Sequence, residues 1–276
     1  MAQSVKDRLR ALRLFARRRF GQNFLNDASD LRFIAQATGL QKGESVFEIG
    51  PGLGALTEPL LDQGLHVIAV EKDRSLARYL QECFKGRALQ VFAEDVLTFD
   101  PSCVASAQKP ITVAGNIPYN ITSPILFWLI EHRLLVQQAV LTVQWEVAQR
   151  LAGKPGHEAW GALSVSVQAY AEVELLRRIP KSHFYPSPNV DSAVVRLRFL
   201  ETPRFRPEHR ERFHELVARA FQKRRKTLLN ALEDDRRNRG KERLSEAFRQ
   251  LAIDPKRRPE TLSVSEWVSL AACLSK

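Results

Sequence analysis

Glu48-Ile-Gly-Pro-Gly-Leu-Gly54 is the stretch that decides the fold of this 276-residue chain. It ends a short β-rich run, 45–49, and opens a helical segment, 56–63. Gly50, Gly52 and Gly54 let the backbone turn tightly and approach a ligand closely. A glycine loop between a strand and a helix is typical of cofactor-binding domains with a parallel sheet. The stretch therefore predicts an α/β fold with a cofactor bound beside this loop.

Outward from the loop, β-rich runs alternate with helical segments, which favours a mostly parallel sheet with a late antiparallel edge. The expected strands are 45–49, 66–70, 89–92, 111–114, 138–143, 173–179 and 193–199. The expected helices among them are 56–63, 74–84, 124–131 and 145–151, and residues 151–160 are expected to form a mobile loop. After Pro203 the β signal ends, and helices are expected at 207–221, 227–233, 241–252 and 263–274. We expect a cofactor-binding domain at 1–200, with a basic segment at 1–20, and a small helical domain at 201–276.

The net charge of +11 is concentrated at the two ends of the chain. Residues 1–20 hold seven basic side chains and one acidic, 201–276 hold 19 basic and 12 acidic, and the middle is nearly neutral. This distribution favours a polyanion, and nucleic acid rather than membrane because no apolar face is interleaved with the basic runs. The expected phosphate contacts are Arg17, Arg18, Arg19, Lys223, Arg224, Arg225 and Lys226. The alternative for the second group is a solvated helix face.

The remaining composition excludes several classes of protein. No run of 18 apolar residues exists, so no membrane span is expected, and the N-terminal segment has no secretory apolar region. A mitochondrial presequence is the alternative interpretation of residues 1–20. It is disfavoured because functional residues are expected from Phe20 onward, which leaves no spare length for cleavage. The cysteines, Cys83, Cys103 and Cys273, form no CxxC pair and are expected to be reduced thiols in a cytoplasmic protein. No metal-ligand spacing appears, so no metal is expected, and a monomer is the default.

Acidic side chains at strand ends predict how a cofactor binds. Glu71 ends the second strand and can accept from both ribose hydroxyls. Asp95 ends the third and can accept from an adenine amino group while Val96 covers the ring; its alternative is a helix N-cap. These features suit NAD and S-adenosylmethionine equally. Glu48, beside the glycine loop, favours an ammonium and a sulfonium over a pyrophosphate.

Asn116-Ile-Pro-Tyr119 ends the fourth expected strand, where ligands gather in such sheets. The Asn116 side-chain oxygen and the Ile117 carbonyl, held by Pro118, can accept both hydrogens of a ring-bound amine. Tyr119 offers a face for stacking. Two acceptors draw the amine lone pair out of conjugation, which N-methylation requires. The alternative is an ordinary turn.

Four segments together resemble the KsgA/RsmA/Dim family of ribosomal RNA adenine dimethyltransferases over residues 17–198. They are Arg19-Phe-Gly-Gln-Asn-Phe-Leu25, Glu48–Gly54, Asn116–Tyr119 and Phe184-Tyr-Pro-Ser-Pro-Asn-Val-Asp-Ser-Ala-Val-Val195. The resemblance implies a Rossmann-like domain with S-adenosylmethionine as donor. It also implies dimethylation of N6 on two adjacent adenines, in the 3′-terminal hairpin of small-subunit rRNA within an immature 30S subunit.

The resemblance also assigns roles to individual residues. Asn23, Leu25 and Gly50 would contact the cofactor, and Asn116 would bridge the cofactor and the target amine. Tyr119 and Phe184 would sandwich the target base, although burial of Phe184 in the core is its alternative. Three other functions stay open: an Erm-type methyltransferase of large-subunit rRNA, a non-catalytic ribosome-assembly or transcription factor, and an NAD-dependent oxidoreductase.

Overall fold

The computed structural model describes residues 23–223, 225–233 and 241–275. Contacts divide the chain into two compact units. The first holds the described residues through Ala148 together with Glu174–Phe199, and the second holds Gln149–Val173 and the described residues from Leu200 onward.

The first unit is built on a sheet whose strands were largely predicted. The strands of the described chain are β1 (Phe24–Leu25), β2 (Ser45–Ile49), β3 (His66–Val70), β4 (Leu89–Phe92), β5 (Ile111–Asn116), β6 (Val136–Gln144), β7 (Ala171–Ile179), β8 (Phe184–Tyr185) and β9 (Ser192–Phe199). Seven of them form one sheet in the order β4-β3-β2-β5-β6-β9-β7. Strands β2 to β6 pair in parallel, and β9 runs antiparallel to β6. The expected α/β fold with a late antiparallel edge is confirmed.

Central strands are buried along almost their whole length, as in other parallel sheets covered on both faces. In β2, Val46, Phe47 and Ile49 are no more than 2% exposed. The helices of the first unit are α1 (Ala28–Ala37), α2 (Thr57–Asp62), α3 (Arg74–Cys83) and α4 (Thr122–Glu131). Asp27 and Asp73 cap α1 and α3 by accepting backbone N–H groups in the first turn.

A two-stranded antiparallel ribbon brings the ends of the first unit's sequence together. In it Phe24 lies opposite Tyr185, and Leu25 lies opposite Phe184. Two-residue strands carry no periodicity, and the sequence did not predict this pairing. It fixes Phe24 beside Gly52 of the glycine loop.

The second unit is mainly helical. Its helices are α6 (Ala162–Gln168), α7 (Arg210–Gln222), α8 (Leu228–Leu232), α9 (Lys241–Gln250) and α10 (Val264–Leu274), and α5 (Trp145–Ala152) spans the division between the units. Helix α6 was not predicted. Residues 153–160 form a loop, as expected, with exposed residues at 154–158. Its end is held in place: the Trp160 side chain is 1% exposed, and its indole N–H donates to Leu262 O at 3.0 Å.

Candidate active site

The glycine loop is shaped by positive backbone angles and close packing. Gly50, Gly52 and Gly54 have φ values of 64°, 60° and 81°. A Cβ on Gly52 would lie 2.9 Å from the Phe24 ring, and one on Gly54 would lie 2.5 Å from the Phe84 ring. Gly50 and Gly52 line a pocket, whereas Gly54 packs toward α3.

Glu71 ties this loop to the end of β3. Its carboxylate is 6% exposed and accepts the Gly52 N–H at 3.1 Å and the Asp73 N–H at 2.8 Å, one on each oxygen. Burial raises the pKa of Glu71, and the hydrogen bonds from Asp73 and Gly52 oppose this rise. A carboxylate has about four acceptor positions, so the ribose hydroxyls expected here would share these oxygens with the backbone N–H groups.

Glu48 is a second buried acid in the same pocket. It is 1% exposed, and the Thr57 hydroxyl donates to Oε2 at 2.7 Å. Burial raises the pKa of Glu48 to about 8; the Thr57 hydrogen bond lowers it, and the nearby Glu71 charge raises it. A cation entering the pocket would favour the ionised form of Glu48.

Asp95 closes a turn and does not cap a helix, and its contact with an adenine amine stays a prediction. One oxygen accepts the Leu97 N–H at 3.1 Å, which closes a turn, and the other meets Lys72 Nζ at 2.6 Å. Partial burial disfavours the carboxylate, but the Lys72 and Leu97 hydrogen bonds and the Lys72 charge outweigh it, so the pKa of Asp95 lies below its ordinary value. An adenine amine would share this carboxylate with Lys72. Val96, beside it, is 6% exposed and lines the pocket.

Asn116 is held in one amide orientation at the end of β5. Its Nδ2 donates to Asn23 O at 2.9 Å, which leaves Oδ1 as the acceptor available to a ligand. Gly115, just before it, leaves no room for a side chain, because a Cβ would lie 2.8 Å from Ile49 O. The close approach of β5 to β2 therefore places Asn116 next to the glycine loop.

Pro118 and Tyr119 shape the outer part of the pocket. Pro118 has φ −59° and ψ 133° and leads into a 3₁₀ turn, Tyr119–Ile121. The Tyr119 hydroxyl lies 2.6 Å from Ser192 Oγ, at the first residue of β9. Burial raises the pKa of Tyr119, and the Ser192 hydrogen bond opposes the rise. The ring therefore stays a neutral phenol at neutral pH, and its far end is fixed.

These residues surround a cavity of about 300 Å³, within the usual size of ligand pockets. Twelve residues predicted for the site line it: Asn23, Leu25, Glu48, Gly50, Gly52, Glu71, Asp95, Val96, Asn116, Ile117, Pro118 and Tyr119. Lining residues that the sequence did not single out include Phe24, Leu31, Lys72, Asp73 and Asn120. Lys72 and Asp73 directly follow Glu71, and that adjacency was the available signal.

Phe184 lies in the hydrophobic core and does not line this cavity. Its side chain is 3% exposed and belongs to a hydrophobic cluster that includes Leu25 and Ile179. It is not among the residues that line the cavity. Its place opposite Tyr119 stays a prediction.

The predicted phosphate contacts are only partly described. Arg17, Arg18, Arg19 and Arg224 lie outside the described residues. Arg225 and Lys226 are exposed, and Lys223 is half-buried at the end of α7.

One group among the described residues has ligand atoms spaced for a metal: Asp27, Asp30 and His183 lie within 4.8 Å of one another. Their oxygens already have partners. Asp27 caps α1, and Asp30 accepts from Arg177 at 3.3 Å and lies 2.7 Å from His183 Nδ1. These contacts join α1 to the segment before β8.

Comparison with known proteins identifies the family. The model of the ribosomal RNA adenine dimethylase family matches residues 14–276. The chain belongs to this family. A ribosomal RNA small subunit methyltransferase A of Myxococcus xanthus is 40% identical over 99% of this chain and 95% of the relative. One of Alcanivorax borkumensis is 39% identical over 92% and 89%.

Solved structures agree with the family. The 23S rRNA methyltransferase ErmE is 29% identical, with a TM-score of 0.72 over 92% of this chain and all of that chain. A dimethyladenosine transferase of Plasmodium falciparum is 25% identical, with a TM-score of 0.76 over 90% and 95%. This adenine dimethylase is therefore an S-adenosylmethionine-dependent rRNA methyltransferase with a Rossmann-like fold, as the sequence predicted. Among the described residues, no helix combines the length and apolar character needed to cross a membrane.

Proposed function

We propose that this adenine dimethylase transfers methyl groups to N6 of two adjacent adenines in the 3′-terminal hairpin of small-subunit rRNA, within an immature subunit. The observation that carries the proposal is the fixed amide of Asn116. Because Asn116 Nδ2 donates to Asn23 O, Oδ1 would be the atom that accepts from an adenine amine. Relatives 39–40% identical over most of the chain bear the small-subunit name.

The pocket residues fit S-adenosylmethionine. The glycine loop has no room for a Cβ at Gly52, and its bare backbone suits close approach of a ligand. Glu71 would hold the ribose, Asp95 the adenine amine, and Glu48 the positively charged end. When bound, S-adenosylmethionine supplies an activated methyl group, so the chain contributes alignment and electrostatics.

At the target amine, Asn116 Oδ1 would accept one hydrogen and the Ile117 carbonyl the other. This draws the nitrogen lone pair out of the ring and aims it into the pocket. Tyr119, anchored by Ser192, would stack on the adenine. Leaving the RNA stack costs a few kcal/mol, and least in a loop. The amine proton leaves to water after transfer.

RNA affinity would come from basic side chains that contact phosphates without reading sequence. We assign this to Arg17, Arg18 and Arg19, in the basic segment of the 1–200 domain, and to Lys223, Arg224, Arg225 and Lys226, in the helical 201–276 domain. Reversing the last four charges should weaken binding to the subunit and reduce its salt dependence. Unchanged binding would favour a solvated surface.

The test is incubation of the full chain with labelled S-adenosylmethionine and unmethylated small subunits, followed by mapping of the modified bases. Label at N6 of two adjacent adenines near the 3′ end is expected. The fold shared with ErmE supports one alternative, a large-subunit target. Large subunits are therefore the second substrate, and label there alone would overturn the proposal. Location in the cytoplasm, a monomeric state and independence of metal stay predictions.

A further inference from the structure

A Trp and an Arg stack just beyond the end of β6, the strand next to the one that carries Asn116. Strand β6 ends at Gln144, which pairs with Ser192, and the next residue is Trp145. The backbone N–H of Trp145 donates to Asp191 O at 2.9 Å. The Arg178 guanidinium carbon lies 4.7 Å from the centre of the Trp145 ring. The Trp145 side chain is half-buried, and that of Arg178 is 58% exposed.

Asp191 fixes the plane of this guanidinium. Its Oδ2 accepts from Arg178 Nε at 3.0 Å and lies 2.7 Å from Nη2, while Oδ1 accepts the Lys181 N–H at 3.0 Å. The Lys181 and Arg178 hydrogen bonds hold the pKa of Asp191 below its usual range, so the carboxylate stays charged. One face of Arg178 is therefore covered by Trp145, and much of the remaining surface is open to solvent.

The stack is close to the residues that position the target. Asn116 lies opposite Thr142, three residues before Trp145, on the neighbouring strand. At about 3.3 Å per residue and about 4.8 Å between strands, Trp145 lies on the order of 10 Å from Asn116. Ser192, beside Asp191, holds the Tyr119 hydroxyl. Nothing in the proposed transfer uses Trp145 or Arg178.

We propose that Trp145 and Arg178, oriented by Asp191, form an RNA-binding platform on which an unpaired base flanking the target adenines stacks. The base lies on the outer face of the Arg178 guanidinium, so that the order is Trp145, Arg178, base. Unstacked RNA bases are commonly held on aromatic rings and guanidinium planes. A planar cation suits this role, because a lysine ammonium supplies the charge without the plane. The platform rests on the proposed function only in its choice of RNA.

The test combines one protein change with one RNA change. Affinity of the full chain is measured for unmethylated small subunits reconstituted with intact rRNA and with rRNA that lacks the base beside the target adenines. Arg178→Lys keeps the charge and removes the plane. Arg177→Lys is the matched control, because it makes the same change one residue earlier in β7, where the guanidinium carbon lies 3.8 Å over the Phe33 ring.

Removal of the flanking base should weaken binding of the wild-type and Arg177→Lys proteins by roughly 5- to 150-fold, the range for one lost stack. The Arg178→Lys protein should bind intact rRNA more weakly than the wild type by a similar factor. Removal of the flanking base should then weaken its binding by less than about a further twofold. The platform is overturned if removal of the base weakens binding of Arg178→Lys as much as it was expected to weaken the wild type, or if it does not weaken binding of the wild type.

Methylation by the wild-type protein is scored in parallel on the intact subunits. Binding that responds to the flanking base without methyl transfer refutes the proposed function and leaves the platform standing. Absence of RNA binding by the wild-type protein overturns both. Arg178→Lys should leave the thermal shift caused by S-adenosylmethionine unchanged, because Arg178 does not line the cofactor pocket.

Discussion

Replacing Glu48 by Gln should stabilise the protein increasingly as the pH rises from 5 to 8. Glu48 has an ordinary pKa of 4.5 and a pKa of about 8 in the folded chain. Between these values the folded state holds a proton that the unfolded state has lost. The free energy of unfolding of the wild type therefore falls as the pH rises through this window, and a glutamine has no such dependence.

The size of the effect follows from the two pKa values. Each pH unit inside the window changes the free energy of unfolding by about 1.4 kcal/mol. From pH 5 to pH 8, the difference between the variant and the wild type should grow by roughly 3.5 kcal/mol, and it should level off above pH 8. Other titrating groups are common to both proteins and largely cancel in this difference.

The measurement is urea unfolding of both proteins without cofactor at half-unit steps from pH 5 to pH 9. Glu58→Gln is the matched control, because it removes an exposed carboxylate from α2, the helix whose Thr57 donates to Glu48. It should change stability by no more than about 0.5 kcal/mol at each pH. A difference for Glu48→Gln that stays flat from pH 5 to pH 8 would show that Glu48 is ionised throughout, and the reasoning would fail.

The same carboxyl should couple cofactor binding to proton release. With a pKa near 8, about one tenth of Glu48 is ionised at pH 7, so binding of a cationic cofactor should release up to about 0.9 proton from this residue. Calorimetry in two buffers of different ionisation enthalpy measures the released protons. The wild type should release more than Glu48→Gln, and equal release would contradict the coupling.

Three further predictions concern the target side of the pocket. Asn116→Ala should cost about 2–4 kcal/mol of transition-state stabilisation, measured as kcat/KM on small subunits; near-normal turnover would count against its role. Tyr119→Ala should cost about 1–3 kcal/mol from lost stacking, whereas Tyr119→Phe, which loses only the Ser192 contact, should cost less; equal losses would argue against stacking. Gly115→Ala should weaken both folding and cofactor binding, because its Cβ would lie 2.8 Å from Ile49 O; a normal melting temperature would contradict the close fit.

The sheet was predictable because its strands carry a strong local signal. Strands β2, β3 and β4 were predicted to the residue, since each is a short apolar run bounded by charged, polar or glycine residues. Helix α6, Ala162–Gln168, was missed because Ser and Val alternate within it and its N-cap is Gly161. The contact that holds the end of the preceding loop could not be predicted either, because Trp160 donates to Leu262, about 100 residues away in sequence.

In the candidate site, the residues could be predicted from local sequence, whereas the contacts that orient them could not. Glu48, Glu71, Asp95 and Asn116 follow directly from their positions at the ends of parallel strands. The contacts that orient them do not, because Asn23 and Asn116 are 93 residues apart in sequence, and Tyr119 and Ser192 are 73 apart. Phe184 shows the limit of motif reasoning, because the structure buries its ring with Leu25, as its core alternative expected, while its place opposite Tyr119 stays a prediction.

Two buried acids in one pocket explain why a shared glycine loop here favours a sulfonium cofactor. Glu71 receives two backbone N–H groups, and Glu48 receives the Thr57 hydroxyl, so neither hydrogen-bond set contributes a full positive charge. A pyrophosphate would raise the pKa of both acids further and would gain no ion pair from Glu48, which would stay protonated beside it. A ligand with an ammonium and a sulfonium instead offsets the cost of burying the carboxylates. We therefore expect the acid at position 48, rather than the glycines, to favour a positively charged ligand.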